Sequence, residues 1–307
     1  TPKKVEWLWP NRLAIGKNNL VCGDPGLGKS LWSLDVAARV SRGEGFPDSH
    51  DERRDPGGVV ILTMEDDDED TIVPRLVAHN ADLSRIVHVK GITEVDGDGE
   101  QIHAIDLAQD IQSIRAAVEQ VKNCKLVIVD TISDYMGSKT DAHKNRDVRS
   151  VLNPFAAMAN ECRVANLCIS HLRKGEGRAI HSAMGSIGFV GQCRVAWAIT
   201  RCPTNSRRRL MTCIKNNLAD DTSGLAFTIE PYGPDNGPVL AWEAEPVRMS
   251  ADQAMDQLRS KPGRKPDARR DANDWLREQL SFGPVAAGEI LDAAKDRYTG
   301  DCSCVYY

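Results

Sequence analysis

The octapeptide Gly-Asp-Pro-Gly-Leu-Gly-Lys-Ser at residues 23–30 decides the fold of this chain. It fits the pattern GxxxxGK[ST], follows the apolar run 20–22 and precedes an apolar, helix-like stretch over 31–40. This strand–loop–helix context is what makes the pattern specific for a phosphate-binding loop. Glycines there let consecutive backbone N–H groups wrap a phosphate, and the helix N-terminus adds positive potential. The sequence therefore predicts a nucleotide-binding domain.

The residues of this loop have distinct predicted roles. Lys29 is expected to reach the β- and γ-phosphates of ATP, and the Ser30 hydroxyl is expected to hold Mg²⁺. The alternative is a glycine-rich turn between a strand and a helix that carries a lysine by chance. We predict ATP and Mg²⁺ as cofactors, and the expected phosphate-binding residues are Gly23, Gly26, Leu27, Gly28, Lys29, Ser30 and Leu31.

The apolar pattern around the loop predicts an α/β fold with a mostly parallel sheet. Unbroken apolar strands are typical of a sheet that is covered on both faces. Residues 107–121 carry one apolar helix face between two of these strands. Closely spaced runs between 195 and 242 predict antiparallel strands that extend the sheet. The predicted parallel strands are 20–22, 59–62, 126–129 and 165–169.

Two carboxylates follow predicted strands at the edge where parallel sheets bind ligands. Asp130 ends the run 126–129 and can hold Mg²⁺ opposite Ser30, although a turn or helix-capping role is the alternative. Because Thr131 comes next, the glutamate that activates water must lie elsewhere. Glu65 follows the strand 59–62, and we expect it to orient and deprotonate the attacking water. The alternative is an acidic helix start in solvent.

Together these residues resemble the RecA-like ATPases, and among them the plasmid RepA-type hexameric replicative helicases and their AAA-family relatives. The resemblance rests on residues 7–31, on Met64-Glu65-Asp66 with the following Arg75-Leu76, and on the strand 126–131, and it covers roughly residues 5–245. It implies a RecA-like P-loop NTPase core with a mostly parallel sheet extended by antiparallel strands. It also implies a hexameric ring that couples ATP hydrolysis to translocation on DNA or its unwinding.

The resemblance implies further site residues. His171 ends a predicted strand where the family places a polar sensor of the γ-phosphate. The segment 185–194 resembles the one with an arginine finger, which implies that Arg194 acts on ATP held by a neighbouring subunit. Lys215 starts a Lys-Asn-Asn that resembles a Lys-x-Arg finger, with asparagine where arginine is common. Surface salt bridges are the alternative for both cations, and Arg75 either stacks on adenine or pairs with nearby acids.

Two long basic loops, residues 133–150 and 171–186, are the predicted contacts with single-stranded DNA. They suit sequence-independent tracking of a phosphate backbone, and ordinary surface loops are the alternative. The chain has a net charge of −5, but six of its 44 acids lie in residues 65–70, and without them 38 acids face 39 basic residues. The basic loop residues are Lys139, Lys144, Arg146, Arg149, Arg173, Lys174 and Arg178.

Composition predicts an ATPase domain over 1–250, a basic linker over 251–266 and a helical tail over 267–307. The two short helices predicted in the tail resemble a helix-turn-helix or winged-helix module that looks truncated. Cys302 and Cys304 form a lone CxC pair, a weak metal-binding signal.

Of the 307 residues, 41% are hydrophobic and 27% are charged, a composition that is typical of globular proteins and excludes a largely disordered chain. No apolar run approaches the roughly 18–20 residues that a membrane span needs, and we see no secretory signal. The nine cysteines include no CxxC pair, so we expect a reducing, cytoplasmic environment. An ATP-dependent DNA-binding regulator without unwinding, and a recombination or repair ATPase, remain the alternative functions.

Overall fold

The structure is a computed structural model. It describes residues 4–49, 52–96, 99–137, 140, 144–171, 187–220, 223–231, 237–259, 275–281, 283 and 285–297. The chain divides into two compact units, Thr1–Arg259 and Ser260–Tyr307. The predicted loop residues 172–186, Lys139 and the pair Cys302 and Cys304 lie outside the described residues.

The first unit follows the predicted alternation of strands and helices. Its strands are β1 (Trp7–Trp9), β2 (Leu13–Ala14), β3 (Asn18–Gly23), β4 (Gly58–Thr63), β5 (Ile86–His88), β6 (Ile92–Asp96), β7 (Gly99–His103), β8 (Cys124–Asp130), β9 (Ala165–His171), β10 (Val195–Arg201), β11 (Arg209–Asn216), β12 (Leu225–Glu230) and β13 (Val239–Trp242). Its α-helices are α1 (Lys29–Arg42), α2 (Val73–Ala78), α3 (Ile111–Gln120), α4 (Asn145–Cys162), α5 (Ile187–Gln192) and α6 (Ala251–Arg259). In the second unit, α7 spans Ala287–Arg297.

One nine-stranded sheet organises the first unit, in the order β13-β12-β11-β10-β3-β9-β8-β4-β5. The six strands from β10 to β5 are parallel to one another. The pairs β10–β11, β11–β12 and β12–β13 are antiparallel. The predicted fold class, a mostly parallel α/β sheet extended by antiparallel strands, is therefore confirmed, and it is consistent with a RecA-like P-loop core.

Both faces of this sheet are buried, which explains why its central strands are apolar throughout. Val59 and Ile61 of β4 belong to the hydrophobic cluster that contains α1, whereas Val60 and Leu62 belong to the cluster that contains α3 and α4. Because successive side chains of a strand point to opposite faces, each face needs its own apolar set. The helices α3 and α4 accordingly bury the apolar stripes that the sequence predicts, including Ile114, Val148 and Phe155.

The structure corrects part of the predicted linker. Residues 251–259 form α6, whose Ala251, Ala254 and Met255 are buried. Ala251 and Met255 pack with Ala198 of β10 in one cluster. Their spacing of three and four residues places them on one helix face. This helix therefore belongs to the first unit, and only the residues after Arg259 lie outside that unit.

Among the described residues, no helix combines the length and the apolar character that crossing a bilayer requires.

Candidate nucleotide-binding site

The predicted phosphate-binding loop joins the end of β3 to the start of α1. Gly26 and Gly28 have φ values of 72° and 84°, in the left-handed region that favours glycine. Gly28 caps α1, and its carbonyl accepts a hydrogen bond from the Trp32 N–H at 2.8 Å. A Cβ on Gly28 would lie 2.6 Å from Cδ1 of Ile229. The left-handed backbone therefore favours glycine at position 28, and a Cβ there would also force the Ile229 side chain to shift.

Lys29 is the buried cation of this loop, with 5% of its surface exposed. Its Nζ donates to the Asp24 carbonyl at 3.0 Å and to Nδ1 of His171 at 3.1 Å. Burial lowers the pKa of Lys29, and the nearby Asp130 carboxylate opposes that effect. Because both hydrogen-bond acceptors are neutral groups, an anionic phosphate is a suitable additional partner for the ammonium.

Asp130 and Ser30 lie together, as the sequence predicts. Asp130 ends β8 and is 6% exposed, and its carboxylate accepts a hydrogen bond from the Ser30 hydroxyl. Burial raises the pKa of Asp130 to about 6, although the hydrogen bond from Ser30 opposes the shift. The nearby Glu65 carboxylate raises the pKa further. A buried carboxylate next to a serine hydroxyl fits the oxygen ligands that Mg²⁺ prefers, so these two residues could hold the metal.

The register of the parallel strands brings Glu65 and His171 to the same end of the sheet as the phosphate-binding loop. Thr63 at the end of β4 pairs with Asp130, and Gly23 at the end of β3 pairs with His171. Nε2 of His171 lies 3.8 Å from Oε1 of Glu65, and these side chains are 40% and 52% exposed. The structure therefore brings Lys29, Ser30, Glu65, Asp130 and His171 into one site.

A histidine that the sequence analysis missed holds the segment that carries Glu65. Nδ1 of His88 contacts Oδ1 of Asp68 at 2.6 Å, and its Nε2 contacts the Thr63 carbonyl at 3.1 Å. Lys90 contacts the other oxygen of Asp68 at 2.8 Å. Burial acts to raise the pKa of Asp68, but the hydrogen bonds from Lys90 and His88 outweigh it and lower that pKa. Residues 63 and 68, on either side of Glu65, are thus anchored to β5 and the residues just after it.

Arg75 pairs with an acid, which is one of the two roles that the sequence left open. Its Nη1 lies 3.0 Å from Oδ2 of Asp66. A Cβ on Gly237 would lie 3.3 Å from Cγ of Arg75, so the arginine packs beside the start of the segment that leads to β13. Contact between Arg75 and adenine stays a prediction.

Arg194 and Lys215 lie at the opposite edge of the sheet from the phosphate-binding loop. Arg194 directly precedes β10, and its backbone N–H donates to the Asn18 carbonyl at the start of β3. Lys215 donates from Nζ to the carbonyls of Val190 at 2.9 Å and Cys193 at 2.8 Å. Lys215 therefore caps the end of α5, and neither cation reaches the nucleotide edge of its own chain.

The fold and this site define the protein as an ATPase of the P-loop class. The chain belongs to the AAA domain family, whose model matches residues 1–177, more than half of its length. No curated protein matches the chain.

Proposed function

We propose that this protein is a ring-forming motor, as in a RepA-like replicative helicase, that couples Mg²⁺-dependent ATP hydrolysis to movement along single-stranded DNA or to its unwinding. The observation that carries the proposal is the position of His171. Its ring lies 3.1 Å from Nζ of Lys29 and 3.8 Å from the Glu65 carboxylate. His171 also begins the predicted DNA-binding loop 171–186. A single side chain thus links the phosphate site, the water-activating residue and that loop.

In the proposed reaction, the backbone N–H groups of residues 26–31 and the ammonium of Lys29 bind the phosphates. Ser30 and Asp130 would hold Mg²⁺, which would neutralise charge on the β- and γ-phosphates. Glu65 orients a water molecule and takes its proton as the water oxygen attacks the γ-phosphorus. The bond to the β-phosphate oxygen then breaks, which releases ADP and phosphate. His171 changes its contacts when the γ-phosphate leaves.

The proposed ring completes the site from a neighbouring subunit. Arg194 is exposed and lies away from the phosphate-binding loop of its own chain. In a head-to-tail ring, each subunit can present one edge to a different edge of the next. Arg194 would there stabilise the negative charge that develops on ATP bound by the next subunit. The segment 133–150, whose residues 145–150 form the first turns of α4 rather than a loop, and the predicted loop 171–186 would face the DNA in the centre of the ring.

The decisive experiment measures the rate of ATP hydrolysis with and without single-stranded DNA. Wild-type protein should be stimulated by DNA, and it should displace a strand from a forked duplex. Lys29→Ala should lose ATP binding, whereas Glu65→Gln should bind ATP without turning it over. Full hydrolysis by Glu65→Gln would refute the assignment of the base. ATP-dependent binding of a duplex without strand displacement would instead support a regulatory switch.

A further inference from the structure

The turn between β10 and β11 carries a group of arginines that the proposed reaction does not use. We call residues 201–209 the arginine hairpin; it contains Arg201, Arg207, Arg208 and Arg209, and no acidic residue. It lies on the nucleotide edge of the sheet, because a Cβ on Gly23 would lie only 2.5 Å from the carbonyl oxygen of Ile199, two residues before the hairpin.

One of these arginines is structural. Arg208 forms a two-pronged ion pair with Glu243, with Nε at 2.7 Å from Oε1 and Nη2 at 2.6 Å from Oε2. Backbone hydrogen bonds from Cys202 N–H to Arg208 O, at 2.9 Å, and from Arg208 N–H to Asn205 O, at 3.2 Å, close the turn. The hairpin is therefore held by its own hydrogen bonds. Arg208 is neutralised by Glu243, and the charges of the other three arginines are not used in that ion pair.

Arg201 and Arg209 form a cross-strand pair of like charges. The two residues are directly opposite each other in the β10–β11 ladder. Both guanidinium groups converge on the carbonyl of Ser206, with Nη1 of Arg201 at 3.3 Å and Nη1 of Arg209 at 2.7 Å. Like charges in this position destabilise a sheet. The pairing therefore has a cost that an anion bound between the two groups would remove.

Arg209 also carries a donor that has no acceptor among the residues that the structure describes. This donor is its Nε, which is buried. Burial lowers the pKa of Arg209, and the charge of Arg201 lowers it further. Desolvation and a like charge both disfavour the guanidinium of Arg209, and an oxyanion bound beside the exposed Arg201 would offset that cost.

The chemistry of the hairpin tip favours phosphate groups over a protein partner. Guanidinium groups match the oxygens of phosphate in two-pronged contacts. The exposed tip residues are Thr204, Asn205, Ser206 and Arg207, so the tip lacks the apolar centre that is typical of a protein interface.

The hairpin and the predicted catalytic side chains lie on opposite sides of β3. Glu65, Asp130 and His171 come from the β9, β8 and β4 side of β3, whereas the hairpin is attached to β10 on the other side. We propose that the arginine hairpin binds the phosphate backbone of single-stranded nucleic acid beside the nucleotide site. This inference rests on the proposed function, to which it adds a binding surface outside the two basic loops.

The test compares Arg201→Gln/Arg209→Gln with wild-type protein, and it leaves the Arg208–Glu243 pair intact. Binding of a fluorescent oligothymidylate is measured by anisotropy over a range of salt concentrations. We expect roughly tenfold weaker binding at low salt, and a slope of log K against log salt that is smaller by about 1.4, or about 0.7 for each phosphate that an arginine no longer neutralises. Oligonucleotides of other sequences should show the same reduction in affinity, since phosphate contacts carry no sequence information.

Two further variants control for the location of the removed charge and for the structure of the hairpin. Arg42→Gln/Arg85→Gln removes the same charge at the other edge of the sheet, where these arginines pair with Glu44 and Asp82, and it should keep the wild-type slope. Arg201→Lys/Arg209→Lys keeps the charge and should retain most of the salt dependence. If the lysine variant loses as much of the salt-dependence slope as the glutamine variant, hairpin structure rather than charge is responsible, and the proposal fails.

Other outcomes separate this inference from the proposed function. Unchanged affinity and slope in the glutamine variant would overturn the inference, whatever the wild-type protein does with ATP. Loss of DNA-independent hydrolysis with unchanged oligonucleotide binding would assign the arginines to a nucleotide, and would also overturn it. Weakened oligonucleotide binding in the glutamine variant, together with a wild-type rate of hydrolysis that DNA does not change, would support the hairpin and refute the motor.

Discussion

Replacing Asp130 with asparagine should make the metal-free protein more stable at pH 8, even though it should abolish ATP hydrolysis. Asp130 is 6% exposed, and burial raises its pKa from 3.8 to about 6. A shift of about two pKa units corresponds to roughly 3 kcal/mol at 1.36 kcal/mol per unit. That energy is the cost of keeping the carboxylate charged in the folded chain without a metal. Asparagine removes the charge and keeps an oxygen that can accept from Ser30.

The sign of this effect follows from the direction of the shift. A raised pKa means that the folded state binds the proton more tightly than the unfolded state does. The stabilisation from protonated Asp130 is therefore complete below about pH 4, and it is lost as the pH rises through about 6. The stability advantage of Asp130→Asn should be absent near pH 4, grow up to about pH 6 and stay constant above it. About 3 kcal/mol is its upper limit, because Lys29 loses a neighbouring carboxylate.

The assay is thermal or urea unfolding in the presence of EDTA, at pH values from 4.5 to 8. For a unit of this size, an advantage of about 2–3 kcal/mol corresponds to roughly 4–12 °C in melting temperature. Asp55→Asn, at an exposed loop position, is the matched control. An Asp130→Asn variant that is no more stable than wild type at pH 8, or equally more stable at pH 4.5 and pH 8, would refute the reasoning.

Two more variants test the support of the site and the corrected boundary. His88→Gln should lower kcat about tenfold and leave KM for ATP unchanged, because it loosens the segment that carries Glu65 without touching the phosphate loop. Lys90→Met, at a side chain that is 57% exposed, is the comparison variant and should have less effect. A change in KM as large as the change in kcat would contradict a positioning role for His88. Met255→Ala should lower the free energy of unfolding by about 2–3 kcal/mol in urea, since Met255 is 6% exposed, and a loss below 0.5 kcal/mol would mean that α6 does not belong to the core.

The central strands could be predicted because each buried strand contains a run of mainly apolar residues in the sequence. Residues 126–129 are all apolar, and all four are buried within β8. The short strand β5 lies at an edge of the sheet, where Ile86 and His88 are half-buried and Val87 is exposed, so it has no such apolar run. The hairpin β6–β7 did leave a local signal, because the dipeptide Gly97-Asp98, of a type common between paired strands, separates the two stretches.

The residues of the site likewise fall into those that local sequence predicts and those that it does not. Lys29 and Ser30 belong to one contiguous pattern, and Asp130 directly follows an apolar strand, so local sequence places all three. The contact of His88 with Asp68 depends on β5 lying parallel to β4. No local pattern specifies that pairing, because it joins segments 20 residues apart through a sheet edge. The arginine hairpin is visible in the sequence, but the convergence of Arg201 and Arg209 on one carbonyl requires the ladder register.

The positions of Arg194 and Lys215 indicate which of the two cations is available to act on ATP bound by a neighbouring subunit. Lys215 pairs with Ala196, which in turn pairs with Leu20, three residues before the end of β3. At about 3.3 Å per residue, Lys215 lies roughly 10 Å along the strands from the phosphate-binding loop. Its ammonium is already satisfied by the carbonyls at the end of α5, and moving it would leave that helix end uncapped. A finger that acts between subunits is therefore better supplied by Arg194, whose side chain is exposed at the same edge.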